Sequence, residues 1–175
     1  APCSHTRVRF WNQHNEELRF VDLRSFGEMW WIPEGDDLDS VMTGLKRLGP
    51  EPFSDAFTGA YLKQRLKGSA RPIKTALLDQ SLIAGVGNIY ADESLFAAGI
   101  PPLSPSGKLT IEQLIRLRDE LVNVLHISIG VGGTTFSDFR DLEGVNGNYG
   151  GQSWVYRRSG QPCRRCGTPI SREKL

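Results

Sequence analysis

The sequence contains few cysteines and no long hydrophobic run. Three of its 175 residues are cysteine, and two of these form a single C-x-x-C motif, Cys163 and Cys166. That usage argues against a disulfide scaffold and is typical of a reducing compartment. No apolar segment is long enough to cross a bilayer, and the first residues contain no signal-peptide core. We therefore predict a cytoplasmic protein without a membrane partner.

Histidine is also scarce, and the net charge is close to zero. None of the 3 histidines has an organised partner in the sequence, so no histidine-based centre is predicted. The formal net charge is +1, but the charges are unevenly distributed. Residues 61–74 hold five basic residues and no acid, and residues 157–175 hold six basic residues and one acid. Such blocks are often only solvated surface. Two of them on either side of a glycine-rich turn favour a nucleic-acid-binding surface.

The glycine-rich turn lies in residues 77–93, which predict a helix, a tight turn and a second helix. Gly85 and Gly87 interrupt the apolar pattern, and Asn88 is a good N-cap for a helix that starts at the next residue. A helix N-terminus presents backbone N–H groups and partial positive charge, and glycine lets a phosphate approach closely. Asn88 and Tyr90 could add side-chain donors. The segment therefore predicts a phosphate-binding element.

The remaining pattern predicts strands followed by helices. A polar cluster at 12–17 separates two alternating apolar runs, which indicates a hairpin, and a third strand is expected at 26–32. Apolar residues at helical spacing predict a helix over 38–48 with Asp37 as its cap. Ser54 is expected to cap the next helix. A capping box at Thr110 opens a long helix that ends near residue 129.

The segment 77–93 resembles the helix–two-turn–helix motif of the formamidopyrimidine-DNA glycosylase family. The resemblance continues in the family's order through Asp22-Leu-Arg-Ser-Phe-Gly27, Gly132-Gly-Thr-Thr135, the glycine-rich residues 144–152, and the segment 155–170 around the C-x-x-C motif. One such block alone would be weak support. The ordered set covers essentially the whole chain and is specific.

The resemblance implies an α+β fold in three parts. Residues 1–50 would be the last part of an antiparallel β-sandwich domain. Residues 51–150 would be the helix–two-turn–helix DNA-binding domain with a glycine-rich lesion loop, and residues 151–175 the first half of a zinc finger. Cys163 and Cys166 would then supply half of the four ligands that a structural zinc ion needs. A lone C-x-x-C is also compatible with a redox motif, but its arginine-rich surroundings do not favour one.

The activity that the resemblance implies is base-excision repair. Family members remove oxidised purines such as formamidopyrimidine and 8-oxoguanine, and cut the abasic strand by β,δ-elimination. Their nucleophile is an N-terminal proline followed by glutamate. Pro2 is not terminal and is followed by Cys3, so no catalytic residue is assigned, and these 175 residues are expected to be inactive alone. The implied partner is double-stranded DNA with oxidised bases or abasic sites, bound by a monomer.

The resemblance also implies two sets of site residues. Residues predicted to contact DNA are Arg24, Phe26, Lys67, Arg71, Lys74, Asn88 and Tyr90. In the family, the matches of Arg24 and Phe26 enter the duplex after the damaged nucleotide is flipped out, which offsets lost stacking. Tyr90 is equally compatible with a core position. The lesion loop would include Asn146, Gly147, Asn148 and Tyr149, and Asn146 stands where many relatives carry lysine.

Two alternatives remain open on the sequence. An endonuclease VIII-type enzyme, which removes oxidised pyrimidines, shares much of this pattern. A module that binds damaged or bent DNA without catalysis would need only the residues named above. Substrate preference distinguishes the first alternative, and trapping of a covalent enzyme–DNA adduct distinguishes the second.

Overall fold

An antiparallel hairpin begins the computed structural model, which describes residues 1–135 and 145–173. Strand β1 covers Thr6–Trp11 and strand β2 covers Glu17–Val21. The side-chain oxygen of Asn12 accepts two backbone N–H groups of the connecting turn, both at 2.9 Å. The predicted hairpin is therefore confirmed, and its polar turn residues close it.

Charged side chains link the two strands. The carboxylate of Glu17 on β2 accepts hydrogen bonds from Arg9 across the ladder and from Arg19 on its own strand. These guanidinium groups, Arg19 first, lower the pKa of Glu17 to about 2. The hairpin thus holds Glu17 in its ionised form.

The predicted third strand at residues 26–32 is wrong, because this segment forms no strand. The carboxylate of Asp22 accepts three backbone N–H groups of the residues that follow it. Ser25 takes a left-handed conformation with φ of 56°. The chain therefore turns directly after β2 instead of continuing as an extended strand.

The predicted helix over 38–48 is also mostly wrong. Helix α1 covers only Leu38–Val41, and a single 3₁₀ turn follows at Leu45–Arg47. Asp37 does cap α1 and accepts the N–H of Asp39 at 3.2 Å. None of the residues of α1 is buried. The helix therefore has no core contact that would stabilise further turns after Val41.

The chain divides into two compact units, Ala1–Leu45 and Lys46–Leu175. The hairpin and α1 belong to the first unit. The remaining helices belong to the second, and they are α2 (Gly59–Arg65), α3 (Ile73–Leu77), α4 (Asn88–Ala98), a 3₁₀ turn (Ser106–Lys108), α5 (Ile111–Gly130) and α6 (Tyr149–Gln152). An antiparallel hairpin followed by helices confirms the α+β prediction. The predicted three-domain division stays a prediction.

One hydrophobic core fills the second unit. Its residues come mainly from α2, α3, α4 and α5, and α5 packs against both α2 and α4. The fully buried large side chains include Phe57, Leu62, Leu77, Leu95 and Leu117. Each such side chain stabilises the fold by about 1.5–3 kcal/mol relative to exposure. This core holds the ends of α3 and α4 in fixed positions.

Capping explains where two of these helices begin. Thr58, and not Ser54, caps α2 and accepts the N–H of Tyr61 at 3.0 Å. The Ser54 hydroxyl instead donates to the carbonyl of Glu51. The predicted capping box at Thr110 is confirmed, with reciprocal hydrogen bonds to Gln113. Within the described residues, no helix is both long and apolar enough to span a membrane.

Candidate nucleic-acid interface

The turn between α3 and α4 is closed by a side chain that the sequence pattern did not single out. The Gln80 oxygen accepts the N–H of Gly85 at 2.8 Å, and its amide nitrogen donates to the carbonyl of Val86 at 2.9 Å. Gly85 has φ of 78°, which favours glycine at this position. One carboxamide therefore bridges the glycine turn.

Two further groups hold the same turn. The carboxylate of Asp79 accepts the hydroxyl and the N–H of Ser81 and the guanidinium of Arg71. These donors, the Ser81 hydroxyl first, hold the pKa of Asp79 below its ordinary value. On the core side, the Tyr61 hydroxyl donates to the carbonyl of Leu82 at 2.9 Å. The turn is thus rigid on both sides before any ligand arrives.

Helix α4 begins with unsatisfied donors. Gly87 is its N-cap, with an extended backbone and no side-chain capping bond. Among the described residues, no protein group accepts the backbone N–H groups at 86–90. The helix dipole adds partial positive charge at this end. The arrangement is suited to bind an anion such as a phosphate.

The prediction that Asn88 caps this helix is wrong. Asn88 is the first residue of α4, because the helix begins one residue earlier than its sequence suggests. Its side chain is exposed and makes no hydrogen bond to any described residue. Both its carbonyl oxygen and its NH₂ group are therefore available to a ligand. A DNA contact through Asn88 stays a prediction.

The Tyr90 hydroxyl is engaged inside the protein. It lies 2.8 Å from the Ser128 hydroxyl and 3.1 Å from the Thr134 hydroxyl. The ring packs against Tyr149, with 6.0 Å between ring centres. This placement connects α4 to the end of α5 and to the loop beyond it. A phosphate contact by Tyr90 remains a prediction.

Two of the four basic residues predicted to contact DNA lie in ion pairs. Lys74 pairs with Asp92 at 2.8 Å, and Arg71 pairs with Asp79 at 3.1 Å. Lys67 is exposed, and no described acid pairs with it. A phosphate near Lys74 or Arg71 would compete with a carboxylate already present, whereas Lys67 could bind one directly.

Arg24 and Phe26 lie together at the tip of the turn after β2, and not on a strand. The Arg24 guanidinium is 5.8 Å from the centre of the Phe26 ring. Phe26 is 80% exposed, which is unusual for a phenylalanine. The two side chains therefore lie on the same side of the turn. Their insertion into DNA stays a prediction.

The two ends of the predicted lesion loop pair with each other. Thr134 and Asn148 form a bridge, and Gly147 exchanges hydrogen bonds with Thr135. A Cβ on Gly147 would lie 2.4 Å from the backbone of Gly133, so only glycine fits there. Residues 136–144, which join these two ends, lie outside the described residues.

The four residues predicted for lesion binding differ in exposure. Asn146 and Asn148 are exposed, whereas Gly147 and Tyr149 are buried. The Tyr149 hydroxyl donates to Glu93 at 3.4 Å, and burial together with this carboxylate raises the Tyr149 pKa. Tyr149 thus belongs to the core. Only the two asparagines present polar side chains to a ligand.

The C-x-x-C motif forms a tight turn. Gly167 donates its N–H to the carbonyl of Cys163 at 2.8 Å, and the N–H of Arg165 points at the Cys163 sulfur at 3.4 Å. A hydrogen bond from Thr168 lowers the pKa of the Cys166 thiol. These features suit two metal-binding thiolates. Within the described part of the chain, no third histidine, cysteine or acid joins them to form a metal site.

Comparison with known proteins identifies the family to which this sequence is similar. The model of the formamidopyrimidine-DNA glycosylase H2TH domain matches residues 48–140, more than half of the chain.

The chain belongs to the formamidopyrimidine-DNA glycosylase family.

Similar proteins extend the match to the whole chain. The formamidopyrimidine-DNA glycosylase of Parasynechococcus marenigrum is 74% identical over 175 residues, which are 100% of this chain and 63% of that protein. The crystal structure of MutM (Fpg) from Thermus thermophilus is 42% identical, with a TM-score of 0.88 over 100% of this chain and 65% of its own. A Lactococcus lactis Fpg mutant in complex with Fapy-dG-containing DNA is 30% identical, with a TM-score of 0.86 over 100% of this chain and 64% of its own. The chain thus spans less than two thirds of these relatives.

The sequence pattern gave no sign of the role of Glu93. This residue lies in the second turn of α4 and is fully buried. Its carboxylate accepts the backbone N–H groups of Trp154, Val155 and Tyr156 at 2.7, 2.9 and 2.8 Å. Glu93 therefore attaches the segment before the C-x-x-C motif to α4.

Proposed function

We propose that this chain is the DNA-binding and lesion-presenting part of a bifunctional DNA glycosylase and AP lyase that acts on oxidised purines. The substrates would be formamidopyrimidine and 8-oxoguanine in double-stranded DNA, and the abasic product would be cut by β,δ-elimination. Family membership supports this proposal, as does the likeness to a protein bound to Fapy-dG-containing DNA. A cytoplasmic monomer is part of the same proposal.

The N-terminus of α4 is the main observation that supports the proposal. Its unsatisfied N–H groups and the exposed Asn88 side chain lie on a turn that Gln80 and Asp79 make rigid. A rigid group of donors binds a phosphate without first becoming ordered, so less of the binding free energy is lost. We assign to it a phosphate of the DNA backbone beside the lesion.

The turn after β2 supplies the second element. We assign to Phe26 the wedge that fills the space of a flipped-out nucleotide, and to Arg24 the hydrogen bonds to the base left without a partner. An exposed aromatic ring beside a guanidinium group suits this role. Unstacking a base step costs about a few kcal/mol, which burial of an apolar side chain can offset.

Zinc belongs to the same proposal. Cys163 and Cys166 fit half of a tetrahedral structural site, and the other two ligands would lie outside the described residues. The ion would stabilise the fold of this segment and would take no part in bond cleavage. Since no residue here matches the family's proline nucleophile, we assign to residues 1–175 binding, wedging and orientation, and no catalytic residue.

The proposal is tested first by base excision. The full-length protein should release Fapy and 8-oxoguanine from duplex DNA in preference to oxidised pyrimidines, and borohydride should trap a covalent adduct. A clear preference for oxidised pyrimidines would favour the endonuclease VIII-type alternative. Binding to damaged DNA without any adduct would favour a non-catalytic module. The polypeptide 1–175 by itself should bind DNA and form no adduct.

A substitution of Asn88 tests the phosphate site. We expect Asn88→Ala to weaken binding about 10- to 100-fold, since a hydrogen bond to a charged group contributes about 1.5–3 kcal/mol. The loss should be similar for every DNA sequence, because phosphates carry no sequence information. Asn123→Ala, which removes another exposed asparagine on α5, should leave the affinity unchanged. A loss confined to one lesion type would contradict the assignment.

A further inference from the structure

The turn that carries Arg24 and Phe26 is held by one carboxylate. The Asp22 Oδ1 atom accepts the backbone N–H of Arg24 at 3.1 Å and of Ser25 at 3.0 Å. Its Oδ2 atom accepts the N–H of Gly27 at 2.7 Å. Three of the five peptide N–H groups that follow Asp22 therefore point at the same side chain. Hydrogen bonds to a carboxylate are roughly twice as strong as bonds between neutral groups.

The backbone of Asp22 is itself fixed to the hairpin. Its N–H donates to the carbonyl of His5 at 3.0 Å, and its carbonyl accepts the Nε–H of Arg7 at 3.2 Å. Asp22 thus connects the hairpin to the turn. Its main chain is hydrogen-bonded to β1 and the residue before it, and its carboxylate accepts the N–H groups of the turn. The hydrogen bond from Gly27, the largest contribution, also keeps the pKa of Asp22 below its ordinary value.

The turn has little room to move toward the hairpin. A Cβ on Gly27 would lie 2.5 Å from the tip of the Phe20 ring and 3.0 Å from Asp22 Oδ2. Ser25 is held at φ of 56°, a left-handed conformation that is rare for residues other than glycine, asparagine and aspartate. A conformation of this kind persists only where the surrounding contacts determine it. Here those contacts come from the Asp22 carboxylate.

We infer that Asp22 is a positioning residue that holds Arg24 and Phe26 in the conformation in which they enter the duplex. The inference rests on the proposed function of that pair. In this role Asp22 acts through the backbone of the turn, and not by its own contact with DNA or the reacting atoms. Without it, the Phe26 side chain would have to be ordered during binding, and the wedge would be misplaced in part of the complexes.

The matched variant is Asp22→Asn, which keeps the shape and removes the charge. An asparagine retains one oxygen acceptor, but its NH₂ group then faces either Gly27 N–H or the N–H groups of Arg24 and Ser25. We expect kcat/KM on 8-oxoguanine duplex to fall about 10- to 100-fold in the full-length protein, a range typical of misplaced positioning groups. Affinity for undamaged duplex should stay within about twofold, because the phosphate contacts of α4 remain.

A double-substitution cycle separates positioning from general destabilisation. If Asp22 acts through the wedge, Asp22→Asn should reduce activity strongly in the native background and hardly at all when Phe26 is already alanine. A fluorescent base analogue opposite the lesion should report lost insertion in both single variants. An equal loss of activity from Asp22→Asn in both backgrounds would overturn the inference.

The outcomes for the two proposals differ. If Phe26→Ala retains full activity and insertion, the proposed role of the turn fails, whatever Asp22 does. If Phe26→Ala is defective and Asp22→Asn behaves like the native protein, only the present inference fails. Gly27→Ala should also displace the turn, because its Cβ would lie 2.5 Å from the Phe20 ring. This variant keeps the Asp22 carboxylate and should show the same phenotype as Asp22→Asn.

Discussion

Replacing Glu93 with glutamine is expected to release the segment that follows α6 while α4 stays folded. The native carboxylate is fully buried and accepts three backbone N–H groups from residues 154–156. Glutamine has the same shape but only one acceptor oxygen. Its NH₂ group would face at least one of those donors, in a place without solvent.

The magnitude follows from these contacts. Losing one charge-assisted hydrogen bond and leaving its donor unsatisfied should lower the free energy of unfolding by about 2–4 kcal/mol. Glu93→Ala leaves all three N–H groups without their acceptor, and the loss should reach roughly 3–6 kcal/mol. Since domains of this kind are stable by about 5–15 kcal/mol, the alanine variant should lose a large share of its stability.

The assay is amide hydrogen exchange, combined with thermal unfolding of the full-length protein. The amides of Trp154, Val155 and Tyr156 should lose protection first in Glu93→Gln, while the core amides of α5 keep theirs. Asp92→Asn is the matched control, because its carboxylate, 24% exposed, pairs with Lys74 and accepts from none of the three amides, so their protection should not change. Unchanged protection of the three amides in Glu93→Gln would refute this account of the segment.

Three further predictions concern the second unit. Gly49→Ala should lower stability by about 1–3 kcal/mol, seen as a lower Tm, because its Cβ would lie 2.6 Å from the Leu82 backbone. Thr110→Ala should cost about 1 kcal/mol through loss of the α5 cap, and an unchanged Tm would contradict the capping role. The pKa of Asp79 is lowered on folding, so its contribution is present above its unfolded pKa, about 3.9, and is lost as the pH falls through the folded value. Asp79→Asn should therefore flatten the fall of stability below about pH 4, and an identical acid profile for both proteins would contradict this assignment.

Local patterns predicted the elements that local interactions determine. The hairpin at β1 and β2 and the capping box of α5 depend on residues a few positions apart, and both are confirmed. The prediction of a helix over 38–48 was wrong for a related reason. Its apolar spacing is helical, but no core covers it within its unit, so propensity alone sustains only the four residues of α1.

The errors at the candidate site have two causes. Asn88 and Gly87 are both acceptable N-cap residues, and a shift of one position decides whether the asparagine side chain is used inside the protein or left for a ligand. Glu93 shows the second cause. Its partners lie 61 to 63 positions later in the chain. The sequence around Glu93 does not show whether its carboxylate is buried or exposed.

The arginines of the C-terminal segment illustrate what such distant contacts change. Arg158 donates to the carbonyls of Trp154 and Pro162 and to the side chain of Gln161, and Arg164 donates to two carbonyls of α6. Arg165 lies over the ring of Phe96, at 4.8 Å. Arg158 thus stabilises the segment internally, whereas Arg164 and Arg165 attach it to α6 and α4.

Counting basic residues would therefore overestimate the number of ions released by the proposed DNA binding. Each phosphate that a protein neutralises contributes about 0.9 to the slope of log affinity against log salt concentration. Side chains already bound to carbonyls and rings contribute less than their formal charge suggests. An Arg158→Lys variant keeps that charge but loses the planar fork of donors. Its cost should consequently appear in the stability of the segment, while the salt dependence of binding hardly changes.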